Sequence, residues 1–306
     1  MSDRRQAAYV TLCANEAFIP GVRCLARSLA ATGTVYPLIC MVPTPLLSQA
    51  TMCLGSERLE LRAVEPLPLS EAFVMRHANA AIELAKPMRL GDKPQFHERL
   101  LNFLKLRAWE FCEFKKIVFL DADTVVVRNI DALFHYPSFS AAPNLYAKLV
   151  DFHRINSGVF VCAPSSRIFR RMLAALDAPD AFWARTDQTF LETFFGEGGH
   201  PPLGLPHFFN TLQYVWFNLP DIWNWPDIHV IHYQFEKPWD EASFRVSPRS
   251  SIRRRLLAPL VDIWHAIDDW GQIPKGMLVD NRAYLRGMVN DLQSLKTLET
   301  LPARDR

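Results

Sequence analysis

No apolar stretch of the sequence approaches the roughly 18 residues that a membrane-spanning helix needs. The first residues, Met1-Ser2-Asp3-Arg4-Arg5-Gln6, also lack the hydrophobic segment that directs secretion. A cytoplasmic location without a transmembrane segment is the expectation. No two cysteines form a Cys-x-x-Cys pair; Cys13, Cys24, Cys40, Cys53, Cys112 and Cys162 are scattered. That spacing speaks against a zinc knuckle and against a secreted disulfide framework, and predicts buried free thiols. Glycine is scarce, at 12 residues, and no Gly-x-Gly-x-x-Gly, Walker loop, Gly-x-Ser-x-Gly or His-Glu-x-x-His motif occurs. An excess of one charge is missing too. The 34 basic against 32 acidic side chains give +2, too little for a nucleic-acid partner held by bulk charge.

What is present is an ordinary globular composition, 49% hydrophobic and 22% charged over 306 residues, with 22 prolines that set stiff loops between regular elements. The opening alternates strand and helix patterns. Strands are predicted at 8–13, 36–42 and 59–64, and helices at 21–31 and 46–54, the βαβαβ order of a parallel sheet covered by helices. Residues 65–99 differ in texture, with Pro66, Pro68, Pro87 and Pro94 around a helical patch at 71–85, and read as an insertion or lid. A helix at 100–114, strands at 116–120 and 156–162, helices at 165–176 and 187–195, and a strand at 228–232 follow. A helical tail from 259 ends in an amphipathic stretch, Leu285 to Leu298, which could pair two protomers. The expected architecture is α/β, with a main domain over 1–270 and a helical extension over 271–306.

Asp121-Ala122-Asp123 lies at the carboxyl end of the strand 116–120, the end at which open parallel sheets bind ligands. Carboxylates two residues apart can converge on one cation when the chain turns at once, and without a cation their burial is costly. The alternative is a loop pair that caps helices and binds nothing. His232 ends the last strand, where a lone histidine is more commonly a satisfied structural group. Lys237 precedes Pro238, which holds it extended, so its ammonium could face a diphosphate bound to the same cation, or simply solvent. Two carboxylates with one imidazole suit Mn²⁺ better than Mg²⁺. Asn156-Ser157-Gly158 and Asp187-Gln188 offer groups that hydrogen-bond sugar hydroxyls, and serve equally as turn and helix-start residues. Trp216, Phe217, Trp223, Trp225, Tyr233 and Trp239 could stack on sugars, although core packing is the commoner fate. Arg249, Arg253, Arg254 and Arg255 read as the solvated start of a helix rather than a lipid contact.

Taken together, these blocks resemble glycosyltransferase family 8, the family of glycogenin and the galactinol synthases, over residues 8 to 269. The likeness rests on Tyr9-Val10-Thr11-Leu12 with Asn15, on Leu104 to Phe111, and on Ile117 to Thr124 followed by Asn129-Ile130-Asp131. It continues in Asn156 to Val161, Asp187-Gln188, Phe209-Asn210 and His232-Tyr233 with Lys237-Pro238-Trp239. The Lys105 to Phe111 run and Tyr233 are similar to the galactinol synthase branch. The resemblance implies a GT-A fold and a retaining transfer of galactose or glucose from a UDP-sugar to a hydroxyl acceptor. It implies Asp121, Asp123 and His232 as holders of Mn²⁺, Lys105 and Lys237 on the diphosphate, and Leu12, Asn15 and Phe18 at the uridine. Asn156, Ser157, Gly158 and Ala122 would complete the donor site, with Asp187 and Gln188 at the reacting sugar. In place of glycogenin's glycine-containing phosphate turn stands Gln234-Phe235-Glu236, and Asn144 replaces a common aspartate. A silent UDP-sugar-binding protein and, from Phe119-Leu120-Asp121-Ala122-Asp123, a haloacid-dehalogenase-type phosphatase are the alternatives.

Overall fold

The computed structural model describes residues 6–78, 96–149, 154–196, 203–245, 247–274 and 276–300. The strands are β1 (Ala7–Leu12), β2 (Leu38–Pro43), β3 (Glu60–Val64), β4 (Lys116–Leu120), β5 (Thr124–Val126), β6 (Ser140–Pro143), β7 (Ile155–Cys162), β8 (Leu203–Gly204), β9 (Thr211–Leu212) and β10 (Val230–His232). Seven of them form one sheet in the order β3-β2-β1-β4-β7-β6-β8. The expected parallel opening is there, with β1 parallel to β2 and β4, and β2 parallel to β3. The sheet is nevertheless mixed, because β7 runs antiparallel to both β4 and β6. An antiparallel neighbour needs no crossover helix, and among the described residues between β6 and β7 there is none.

The strand containing His232 departs further from expectation. It does not close the main sheet but lies at the centre of a second, three-stranded sheet ordered β5-β10-β9. The two largest of the four hydrophobic clusters among the described residues lie on these two sheets. One packs the main sheet against the turns at 100–110 and the helices Ser166–Leu176 and Asp187–Gly196. The other joins the small sheet to the C-terminal helices and holds Trp216, Phe217, Trp223 and Tyr233. The aromatic cluster is therefore mostly core, which accounts for its density without sugar stacking.

Other corrections concern helices. Residues 100–110 form a run of 3₁₀ turns rather than an α-helix reaching 114. Its three-residue repeat lines up Asn102 and Lys105 on one side. The predicted terminal helix is two helices, Asn281–Arg286 and Val289–Thr300, and Leu285 and Leu295 are buried in the chain's own second core. The apolar side expected to pair protomers is thus largely used within the chain. Helical structure also begins earlier than 259, at Pro248–Leu256, where Ser247 and Ser250 form a reciprocal cap. In the 65–99 segment the helix Glu71–Ala78 packs inward through Phe73, which belongs to the main core; residues 79–95 lie outside the described residues. All six cysteines are free, but Cys53 and Cys112 are exposed, not buried. Among the described residues no helix is long and apolar enough to cross a membrane.

Candidate active site

The Asp121–Asp123 turn is built at the end of β4. The Asp121 carbonyl accepts both the Thr124 amide (3.1 Å) and the Thr124 hydroxyl (2.7 Å), which bends the chain directly after the strand. The Asp121 amide donates to the Gly158 carbonyl at 2.8 Å, tying the turn to β7. The chain then enters β5, which pairs antiparallel with β10 so that Thr124 faces His232. The Tyr233 amide donates to the Asp123 carbonyl at 2.8 Å. Backbone pairing alone therefore delivers the distant histidine to the acidic turn. Asp121, Asp123 and His232 present ligand atoms that all lie within 4.8 Å of one another. His232 Nε2 is 3.1 Å from Asp123 Oδ1 and 3.9 Å from Asp121 Oδ2.

Two lysines close around this triad. Lys105 Nζ lies 2.7 Å from Asp121 Oδ1 and 3.1 Å from Asp187 Oδ2, so it links the turn to the start of the helix Asp187–Gly196. Lys237 Nζ pairs with the Asp123 carboxylate and donates to the Tyr233 carbonyl at 2.7 Å. Both lysines are buried. These neighbours drive the two carboxylates apart. Burial works to raise Asp123, but Lys237 and His232 outweigh it and hold that carboxyl well below the usual range. At Asp121 burial prevails: its carboxyl is raised, with Asp123 adding to the effect and Lys105 opposing it. Burial would lower the Lys105 ammonium, yet Asp121 and Asp187 together raise it. Two carboxylates and an imidazole, converging with cations beside them, fit a divalent metal ion.

Asp187 is aimed by backbone the sequence did not signal. Thr186, just before it, has φ +54°, an outlier for a β-branched residue. Its hydroxyl donates to Asp187 Oδ1 at 2.9 Å and accepts from Asn102 Nδ2 at 3.3 Å. Gln188 follows, buried, on the same first turn.

The expected uridine residues lie at the end of β1. Leu12 is buried in the main core, while Asn15 caps the turn at 16–18 and donates to the Phe96 carbonyl at 2.8 Å. Phe18 meets Phe96 edge-on at 5.3 Å and Trp239 at 6.4 Å. Ala122 presses its carbonyl toward Gly21, where an added Cβ would lie 2.5 Å from the oxygen. Of the Asn-Ser-Gly block, Asn156 points behind His232 rather than standing free for a sugar. Its Oδ1 accepts from the Gly158 amide (2.9 Å) and from Asn210 Nδ2 (2.8 Å), and its Nδ2 donates to Asn144 Oδ1 (3.0 Å). Ser157 is buried between them in β7.

In the segment Gln234-Phe235-Glu236 the missing glycine is made good by the backbone of Phe235. Phe235 takes the left-handed conformation, φ +68°, that a glycine usually supplies, and is held there by stacking on Tyr214 with ring centres 5.4 Å apart. Glu236 does not face the acidic turn. It is fully buried on the other side, accepting from Tyr214 Oη and lying 3.2 Å from Arg253 Nη1. The arginine cluster is solvated only in part: Arg253 is buried, while Arg254 and Arg255 reach solvent and pair with Glu241 and Asp291.

Residues 10–140 match the family model described as Glycosyl transferase family 8. UDP-glucuronate:xylan alpha-glucuronosyltransferase 2 of Arabidopsis thaliana is 28% identical over 245 residues, covering 77% of this chain and 36% of that protein. Galactinol synthase 1 of Solanum lycopersicum is 27% identical over 260 residues, covering 77% of this chain and 74% of that protein. Glycogenin-1 of Caenorhabditis elegans is 28% identical over 188 residues, covering 61% and 39%. The chain spans less than half the length of the glucuronosyltransferases it matches. Among solved structures, the glycosyltransferase GlyE of Streptococcus pneumoniae TIGR4 superposes with a TM-score of 0.55 at 18% identity, covering 94% of this chain and 64% of that one. The galactosyltransferase LgtC, with donor and acceptor sugar analogs, gives 0.54 at 14% identity, covering 88% and 100%. The fold is that of the GT-A glycosyltransferases. The resemblance to glycosyltransferase family 8 holds, with relatives among galactinol synthases, glycogenins and glucuronosyltransferases alike.

Proposed function

We propose that the chain is a retaining, Mn²⁺-dependent hexosyltransferase that moves galactose or glucose from a UDP-sugar to a hydroxyl acceptor. The observation that carries this reading is the convergence of Asp121, Asp123 and His232 with Lys105, Lys237 and Asp187 in one buried cluster. Several relatives are named for a UDP-linked sugar donor, which supports the choice of nucleotide. In this reading residues 1–270 are the catalytic unit, and 271–306 a helical extension.

Breaking a sugar–phosphate bond builds negative charge on the departing UDP, so the main catalytic demand is electrostatic. Asp121, Asp123 and His232 would hold Mn²⁺, which supplies positive charge to the diphosphate when bound. Lys237 and Lys105 add fixed ammonium groups on the same side. Leu12, Asn15 and Phe18 line the entry for the uridine, with Ala122, Ser157 and Gly158 close to the diphosphate and sugar. Asp187, with Gln188 beside it, opposes the positive charge that develops on the sugar.

The test is UDP release from a panel of UDP-galactose, UDP-glucose and UDP-glucuronate, with Mn²⁺ and with EDTA. Metal-dependent release that Asp123→Ala abolishes in a folded protein supports the reading. Absence of release from every donor favours a silent binder, and phosphomonoester hydrolysis would favour a phosphatase.

A further inference from the structure

We infer that Asn210, steered by Asn156, fixes the proton of His232 on Nδ1 and so presents Nε2 as a lone pair toward Asp121 and Asp123. The role assigned to that lone pair rests on the reading of these three side chains as a metal site.

The argument begins at a group whose polarity cannot change. The Gly158 amide can only donate, and it donates to Asn156 Oδ1 at 2.9 Å. This sets the orientation of the Asn156 carboxamide, whose Nδ2 then meets Asn144 Oδ1 at 3.0 Å. Asn210 approaches the same Asn156 oxygen at 2.8 Å, so the atom it offers there must be its Nδ2. Its Oδ1 is left facing His232 Nδ1 at 2.9 Å. An amide oxygen accepts and does not donate, so Nδ1 carries the hydrogen. In a neutral imidazole Nε2 is then bare, and it is Nε2 that stands 3.1 Å from Asp123 Oδ1; only the imidazolium, with a hydrogen on each nitrogen, donates to Asn210 and Asp123 at once.

Flipping either amide does not rescue the opposite tautomer. A turned Asn210 would set its oxygen against the oxygen of Asn156. A turned Asn156 would set its NH₂ against the Gly158 amide. All four side chains are buried, so no bulk water repairs such a mismatch, and each unpaired group would cost about 1–3 kcal/mol. Partners of this kind, behind a metal-binding histidine, hold both ring orientation and tautomer. Asn210 contacts His232 at Nδ1 and not at Nε2, and is therefore a positioning residue.

The test uses the full chain labelled with ¹⁵N-histidine, metal-free, over a pH series, and is read where the His232 ring nitrogens report a neutral imidazole. Long-range ¹H–¹⁵N spectra, with His232 assigned by its loss in His232→Gln, should show the Nδ1–H tautomer; an Nε2–H tautomer overturns the inference. In Asn210→Leu the tautomer bias should disappear, and Mn²⁺ affinity without nucleotide, followed by the EPR signal of free Mn²⁺, should fall about 10- to 100-fold. A folded Asn210→Leu protein with wild-type Mn²⁺ affinity overturns the positioning role. If Asn210→Leu does not fold, the wild-type spectrum still decides the tautomer. Wild-type protein that shows Nδ1–H but binds no Mn²⁺ overturns the metal reading instead, so the two failures are told apart.

Discussion

Gly158 and His232 approach so closely that a Cβ on the glycine would overlap the ring at Cε1, lie 2.5 Å from Nδ1 and sit 2.8 Å from Asn156 Oδ1. The requirement here is clearance for an imidazole, not an unusual backbone angle. Gly158→Ala should push the ring off its Asn210 bond. We expect a loss of about 1–3 kcal/mol in stability from overpacking, and a Mn²⁺ affinity reduced by about tenfold or more. Urea unfolding and a Mn²⁺ titration check the two effects separately, and unchanged metal affinity would show that the ring has room to give.

A second close approach supports the acidic turn from the opposite side. A Cβ on Gly21 would lie 2.5 Å from the Ala122 carbonyl oxygen and 2.8 Å from the Trp239 ring. The first obstacle is backbone, so the helix Ile19–Ala31 or the turn 121–123 must shift. Gly21→Ala should lower the thermal midpoint and, by displacing the turn, depress the UDP-sugar turnover proposed above. Retention of full turnover would mean that the helix, not the turn, absorbs the change.

Lys237 is buried with its ammonium on the Asp123 carboxylate and the Tyr233 carbonyl, and its amide is anchored by Ser243 Oγ at 3.0 Å. If the ammonium serves the diphosphate, Lys237→Met should weaken UDP binding by about 10- to 100-fold, the loss of one charge-assisted contact. Uridine binding should change far less. Calorimetric titration with the two ligands makes the comparison, and an equal loss for both would reject the phosphate role.

Much of this arrangement could be read from the residues. The acidic pair, the distant histidine and the lysines were legible because each sits at a strand end or a constrained position, and the βαβαβ opening set β4 beside the parallel β1. Local patterns could not show that β7 is antiparallel or that His232 arrives on a separate sheet. Both depend on pairing between segments far apart in sequence, such as Thr124 with His232. The amide chain behind His232 was hidden for the same reason, since Asn144, Asn156 and Asn210 come from three separate segments. Phe235 and Thr186 were hidden differently: a left-handed non-glycine residue leaves no mark in composition, and tertiary packing enforces it. The burial of Glu236 could not be read locally, because its partner Arg253 comes from a separate helix and reads in sequence as a solvated charge.

That partnership yields the last expectation. Glu236 and Arg253 are both buried, 3.2 Å apart, and the Glu236 carboxyl is raised above its ordinary value by burial, with Arg253 the main opposing influence. Removing the guanidinium leaves the acid with its burial penalty and less to offset it. Arg253→Met should therefore cost about 3–5 kcal/mol near neutral pH, as for other broken buried pairs. The sign of the pH dependence follows from linkage. An acid whose folded pKa is raised binds its proton more tightly in the folded state, so stability is retained below the unfolded carboxylate pKa and falls as pH rises through the folded value. Arg253→Met should accordingly be closest to wild type in acid and fall furthest behind toward neutrality. Adding Glu236→Gln should flatten that dependence and recover part of the loss. Denaturant melts of the wild type, the single variant and the double variant between about pH 4 and pH 8, bracketing the ordinary carboxylate range from above, measure it. A gap between Arg253→Met and wild type that narrows with rising pH would place the ionised acid on another partner.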